Sequence, residues 1–212
     1  MAEPFKDFPL VFNDERAVSG NASYDNTISR VQLDLRSNVD SFQAKLPADI
    51  WVKFDEAQAE WERCYRDETV AYGFADAWTR PNPDAAYDNQ YRENRLVSVL
   101  SRLNLLHAIA STEKGQVDSE LYEQQKTALL GEIAMDMYHV ITWTKEMYRH
   151  RIKRANDSWG EYYKSSLALF EALCKNDKKR AMELDLVLLT ARRDVVSIQK
   201  EALYRIKIEP ED

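Results

Sequence analysis

The sequence predicts an all-α protein, a helical bundle built from two stacked three-helix units. Three observations predict it. Apolar residues recur at steps of three and four along most of the chain. The residues between them are strong helix formers. Glycine and proline number only five and six in 212 residues, too few for the many turns of an all-β domain.

Residues 1–25 read as an irregular N-terminal segment, with Phe5, Phe8, Leu10, Val11 and Phe12 around Pro9 expected to dock on the bundle. A first helix is expected over 26–46, with Val31, Leu35, Val39, Phe42 and Leu46 on one face. Pro47 interrupts it and suits the first turn of a second helix over 48–78, striped by Ile50, Phe54, Ala57, Trp61, Cys64, Tyr65 and Tyr72. Two prolines between Thr79 and Asp84 end that helix. A third, over 85–111, carries Leu96, Val99, Leu100, Leu103 and Leu106, and Gly115 marks the break after it. A fourth is expected from Asp118 unbroken to about Arg154, with Leu121, Leu129, Ile133, Met137, Val140, Thr144 and Tyr148 along one side. The fifth covers about 157–174, anchored by Trp159, Tyr163, Leu167 and Phe170; Asn176 and Asp177 offer an N-cap for a sixth that runs to about Ile206.

A shift of 98 residues places Val31 on Leu129, Leu35 on Ile133, Val39 on Met137, Trp61 on Trp159 and Tyr65 on Tyr163. The pattern divides the chain into 1–25, a unit over 26–115, and a second, degenerate unit over 116–208. Arg102 and Arg192 align loosely in the third helices. Lys145 stands where the first copy has Pro47, which is why the fourth helix is expected to run on as one long rod.

The formal net charge is −7, without the basic excess of a general nucleic-acid binder, and it suits a basic partner as well as simple solubility. No apolar run is long enough to cross a membrane. Met1–Leu10 lacks the basic and apolar regions of a signal peptide, so a cytoplasmic location is expected, with the periplasm as the alternative. Cys64 and Cys174 match no metal or redox spacing and read as reduced thiols.

Residues 54–67 read FDEAQAEWERCYRD, and 94–106 read NRLVSVLSRLNLL. Over about 25–110 the chain resembles the LprI-like lysozyme-inhibitor family, through Ala57, Gln58, Trp61, Tyr65, Arg66, Asp67, Asn94, Arg95, Leu100 and Arg102. The resemblance implies a small helical domain that binds a lysozyme-like enzyme. Family members carry a bridged cysteine pair where this chain has Val70 and Leu96. The two apolar residues are expected to keep the helix contact without the covalent link, as a reducing compartment permits. The second unit keeps Ala155, Trp159 and Tyr163 but has Lys164 and Ser165 in place of Arg-Asp.

Trp61 with Tyr65, and Trp159 with Tyr163, read first as core, with Arg66 and Asp67 tying helix ends together. As a partner surface the sequence offers Trp78, Tyr87 and Tyr91 on a loop between the second and third helices, joined by Arg66 and Asp67. Glu132, Asp136 and His139 share one helix face and are the only metal candidates, with Glu68 or Asp185 as conceivable further ligands; no bound metal and no cofactor are expected. No Ser-His-Asp, Cys-His or phosphate-binding glycine motif is present, and no enzyme activity is expected. The reading is a non-catalytic inhibitor or immunity-type protein that neutralises another protein, a basic enzyme such as a lysozyme-like hydrolase or an antibacterial toxin. A helical scaffold or oligomerising subunit is the second reading, and a metal-dependent bundle enzyme the third.

Overall fold

The structure, a computed structural model, describes residues 20–77, 85–111 and 114–208, with the side chains of 20–25, 43, 73–77, 85–91, 93 and 205–208 left out. Among the described residues there are six α-helices: α1 (Gly20–Lys45), α2 (Ala48–Ala77), α3 (Ala85–Ala110), α4 (Ser119–Trp143), α5 (Arg149–Leu173) and α6 (Lys178–Ile208). A single 3-10 turn, Glu146–Tyr148, precedes α5, and no strand occurs among the described residues. The chain is an all-α helical bundle.

Two boundaries differ from those the sequence suggests. Helix α1 begins at Gly20, so positions 20–25 are helical rather than irregular. The expected docking of Phe5 to Phe12 lies outside the described residues. The long fourth helix does not form: α4 stops at Trp143 and α5 starts at Arg149. Thr144 turns extended, with φ −71° and ψ 136°. Its hydroxyl donates to the Val140 carbonyl (2.6 Å), and Arg149 Nε donates to the Thr144 carbonyl (3.0 Å). The freed carbonyls at the end of α4 are thus satisfied by side chains, and no proline is needed to stop it. The break falls 98 residues after the one at Lys45–Ala48, at the same register of the repeat.

The packing follows the same repeat. Helix α1 lies on α3 and α4 on α6, while α2 lies along α5 and α3 meets α6. The second helix of each half is therefore buried mainly against the other half. Helices α2 and α5 run antiparallel. Asp67 meets Arg154 (3.2 Å) and Ser158 (2.6 Å) near one end, and Asp49 reaches Lys175 (3.5 Å) near the other. Phe54, Ala57, Val99, Leu106, Leu169 and Phe170 are sealed in the main core, and Val140, Ile152 and Val196 in a second cluster toward the ends of α2, α4 and α6. Most of the expected stripe of α4 is inside, but Leu121 is 43% exposed.

The connection after α3 is held by α6. Asp177 caps α6 by accepting from the Arg180 backbone N–H (2.9 Å) and also accepts from Gly115 N–H (3.2 Å). Glu183 accepts from Gln116 N–H (2.6 Å). Gly115 passes so close to the Lys179–Arg180 backbone that a Cβ there would overlap it.

Candidate functional site

Two regions bring chemistry together: a buried polar junction where α2, α3, α5 and α6 meet, and an exposed aromatic corner formed by α4, the 3-10 turn, the start of α5 and the end of α6.

At the junction, Arg102 of α3 and Arg192 of α6 are buried, each with its guanidinium against a tryptophan of the repeat. Arg102 lies 5.9 Å from the ring of Trp61, and Arg192 lies 4.9 Å from that of Trp159. Arg192 pairs with Glu68, and both are buried. Among the described residues no carboxylate pairs directly with Arg102. Its Nε and Nη2 donate to the Gln58 side-chain oxygen (3.1 and 2.9 Å), and its Nη1 to the Tyr162 hydroxyl (3.1 Å). Gln58 in turn donates to Glu62 (3.1 Å), which links a carboxylate to Arg102 through an amide.

Cys64 faces the same junction. Burial, and then the nearby Glu68, push its thiol well above its ordinary value of 9.0, so it stays protonated and a poor nucleophile. Burial, with Glu68 beside it, likewise raises Tyr72. For Arg192, burial works against the charge, but Glu68, Cys64 and Tyr72 together outweigh burial, and the guanidinium is held protonated. The cleft among these groups leaves about 40 Å³ for the centre of a water-sized sphere, room for a few waters. No histidine lines it.

The residues of the family-like motif meet one another here: Gln58 with Arg102, Trp61 with Arg102, and Arg95 Nε with the Tyr65 hydroxyl (3.1 Å). They are spent on joining α2 to α3. Of the two apolar residues at the cysteine positions, Leu96 is buried (2% exposed) while Val70 is 45% exposed. Trp61 stacks on Tyr65 (5.4 Å), and Trp159 on Tyr163 (5.7 Å), at equivalent places in the two halves.

Of the residues proposed from sequence as a partner surface, only Arg66 and Asp67 have described side chains. Trp78 lies outside the described residues. Tyr87 and Tyr91 belong to helix α3 rather than to a loop, and their side chains are not described. Asp67 is engaged inside the protein by Ser158 and Arg154, while Arg66 is exposed on α2. The metal candidates also separate. Asp136 is held by Lys200 (2.7 Å), Glu132 lies 3.9 Å from Arg193, and His139 packs on Trp143 (4.8 Å). Glu68 and Asp185 are elsewhere; Asp185 accepts from Tyr122 (2.5 Å) and Lys126 (2.9 Å). No three of His, Cys, Asp and Glu among the described residues are grouped to hold a metal ion.

The exposed corner is what sequence reasoning missed. Met135, Tyr138 and Met147 are about two-thirds exposed (65%, 64% and 65%), and Tyr204 is 50% exposed. The rings form a row: Tyr138 to His139 at 5.8 Å, His139 to Trp143 at 4.8 Å, and Trp143 to Tyr204 at 5.8 Å. Arg149 Nη2 donates to the Thr142 carbonyl (3.3 Å) and fixes the start of α5 to this end of α4.

No protein family, curated protein or solved structure matches the chain. Among the described residues no helix is long and apolar enough to cross a membrane.

Proposed function

We propose that the chain is a non-catalytic, protein-binding protein of the inhibitor or immunity type, which neutralises a partner enzyme. The observation that carries this reading is the ring row Tyr138–His139–Trp143–Tyr204, whose inner members are half-buried and whose ends, Tyr138 and Tyr204, are exposed, with exposed Met135 one turn before Tyr138 on α4. Large apolar side chains held in water by a rigid helix gain nothing for the fold, and aromatic and methionine side chains are enriched where proteins meet. The buried junction supports the same reading, because its thiol is held protonated and is a poor nucleophile.

The resemblance of residues 25–110 points to a lysozyme-like hydrolase as the enzyme neutralised. The test has two arms, stoichiometric capture of a partner by the tagged full chain and inhibition of muramidase activity. Tyr138→Ala with Tyr204→Ala is expected to abolish capture while leaving the thermal unfolding curve in place. Capture and inhibition that survive the double substitution overturn the assignment of the corner. A scaffold role rests on the same surface turned toward a second copy, and a light-scattering mass well above 24.7 kDa is the result that favours it.

A further inference from the structure

We propose that the cleft at the junction of α2, α3, α5 and α6 binds a small anion, held by the guanidinium groups of Arg102 and Arg192 and the hydroxyl of Ser101. All three residues line that one cleft, together with Trp61 and Trp159. The site is separate from the aromatic corner and does not depend on the protein-binding reading.

The charges at the junction do not cancel. Arg102 and Arg192 are 1% and 3% exposed. Glu68 offsets the charge of Arg192. Arg102 is bonded to neutral partners, the Gln58 amide and the Tyr162 phenol, and Glu62 beyond Gln58 is exposed to water. Cys64 and Tyr162 do not make up the difference, because burial raises both above their ordinary values and keeps them neutral. One positive charge is left, and a buried charge without a countercharge is costly. The repeat shows how the imbalance arises. The shift of 98 residues that aligns the two halves places Glu68 on Ser166, which is buried and uncharged. The second half thus has no carboxylate at the place from which Glu68 serves Arg192.

The hydrogen bonds are unbalanced in the same sense. Arg192 Nε and Ser101 Oγ are buried, and neither has a hydrogen-bond partner within the chain. The arginine nitrogen can only donate, and the serine hydroxyl can donate as well. What these atoms need is an acceptor. A cation would add to the excess charge. A water would accept the bonds and leave the charge as it is. An anion does both. The cleft has room for a few waters, which suits a halide ion or a compact oxyanion. Ser101 and Arg102 come from α3 and Arg192 from α6, so the bound ion joins the two halves of the chain.

The test is the tryptophan fluorescence of the full chain titrated with sodium bromide, at an ionic strength held constant with sodium gluconate. Bromide quenches an indole that it touches, and Trp61 and Trp159 line the cleft. A bound ion gives quenching that saturates, whereas collision with exposed rings gives quenching that grows linearly. A saturating component is expected. Ser101→Ala removes a donor that has no partner within the chain. Its thermal unfolding in gluconate is therefore expected to stay in place, while the half-saturating bromide concentration rises at least about tenfold, as for a lost hydrogen bond to a charged group. Chloride, acetate and phosphate compete in separate arms, and the one that displaces bromide at the lowest concentration identifies the occupant as a halide or an oxyanion. Purely linear quenching overturns the site. So does a Ser101→Ala protein with the bromide affinity of the wild type, or bromide that none of the three competitors displaces. In crystals grown with sodium bromide, anomalous peaks that all lie away from Arg102 and Arg192 overturn it independently of any variant.

Discussion

Arg192 and Glu68 form an ion pair inside the bundle, between α6 and α2, with the guanidinium laid over the Trp159 ring at 4.9 Å. The pair joins the two halves of the chain at a point that water barely reaches.

Removing one partner of such a pair leaves a buried charge uncompensated, which costs about 3–5 kcal/mol. Glu68→Gln is expected to destabilise the fold by that amount in urea titration. Glu68→Leu combined with Arg192→Met, which removes both charges, is expected to recover most of the loss. A Glu68→Gln protein within about 1 kcal/mol of wild type would show that the pair contributes little.

Arg102 tests a different geometry. Its fork spans Gln58 and Tyr162 at once, which the single ammonium of lysine does not reproduce. Arg102→Lys keeps the charge and leaves the Gln58 oxygen or the Tyr162 hydroxyl short of a donor. The expected cost is about 1–3 kcal/mol by chemical denaturation. An unchanged midpoint would mean that the charge alone is what this position needs.

Stability is expected to fall at alkaline pH through the buried thiol and phenols. Cys64 is raised from 9.0, and Tyr72 and Tyr163 from 10.0, all three first by burial. A group whose folded value is raised stabilises the fold fully below its unfolded value, and that contribution drains away as pH rises through the folded value. The melting temperature should therefore hold up to about pH 9 on account of these groups and decline above it. Cys64→Ala is expected to make the decline between pH 9 and 10 shallower, with the part due to Cys174, also raised from 9.0 by burial, remaining. In thiol titration of the native protein, Cys174, which is only partly buried, reacts well before Cys64. Equal rates would remove the basis for this prediction.

The glycines divide by what a methyl group would meet. At Gly131 in α4 and Gly160 in α5 an added Cβ touches nothing. Each change to alanine is expected to stabilise the protein by about 0.5–1 kcal/mol, through lower backbone entropy in the unfolded chain. At Gly115 the Cβ would collide with the backbone of Arg180, and alanine there is expected to cost about 1–3 kcal/mol. Thermal melts of the three single variants decide it; a neutral Gly115→Ala would place the α3–α4 connection elsewhere.

The helices were legible because their signal is local. Steps of three and four, the prolines near 81 and the cap at Asp177 mark α2, α3 and α6 without tertiary information. The end of α4 was not legible, because no glycine or proline marks it. It depends on the Thr144 hydroxyl and on Arg149 folding back, which only the three-dimensional arrangement reveals. The candidate site was the least legible part. Arg102 and Arg192 sit inside apolar runs, a signal that could have marked them as buried, but their partners are 44 and 124 residues away in sequence. Tyr138 and Tyr204 look like ordinary helix residues, and only packing leaves them facing water. Tyr65 read as core from its helical spacing; it packs against the core, and its hydroxyl accepts from Arg95, a partner 30 residues on that spacing does not reveal.

Because α2 finds its main neighbour in α5, severing the polypeptide between α3 and α4 would leave each fragment with its broadest greasy strip bare. Such fragments are unsuited to life apart, yet each is shaped to cover the other. Mixed together, they should reassemble into one body, a behaviour that a chain made of two self-sufficient beads would not show.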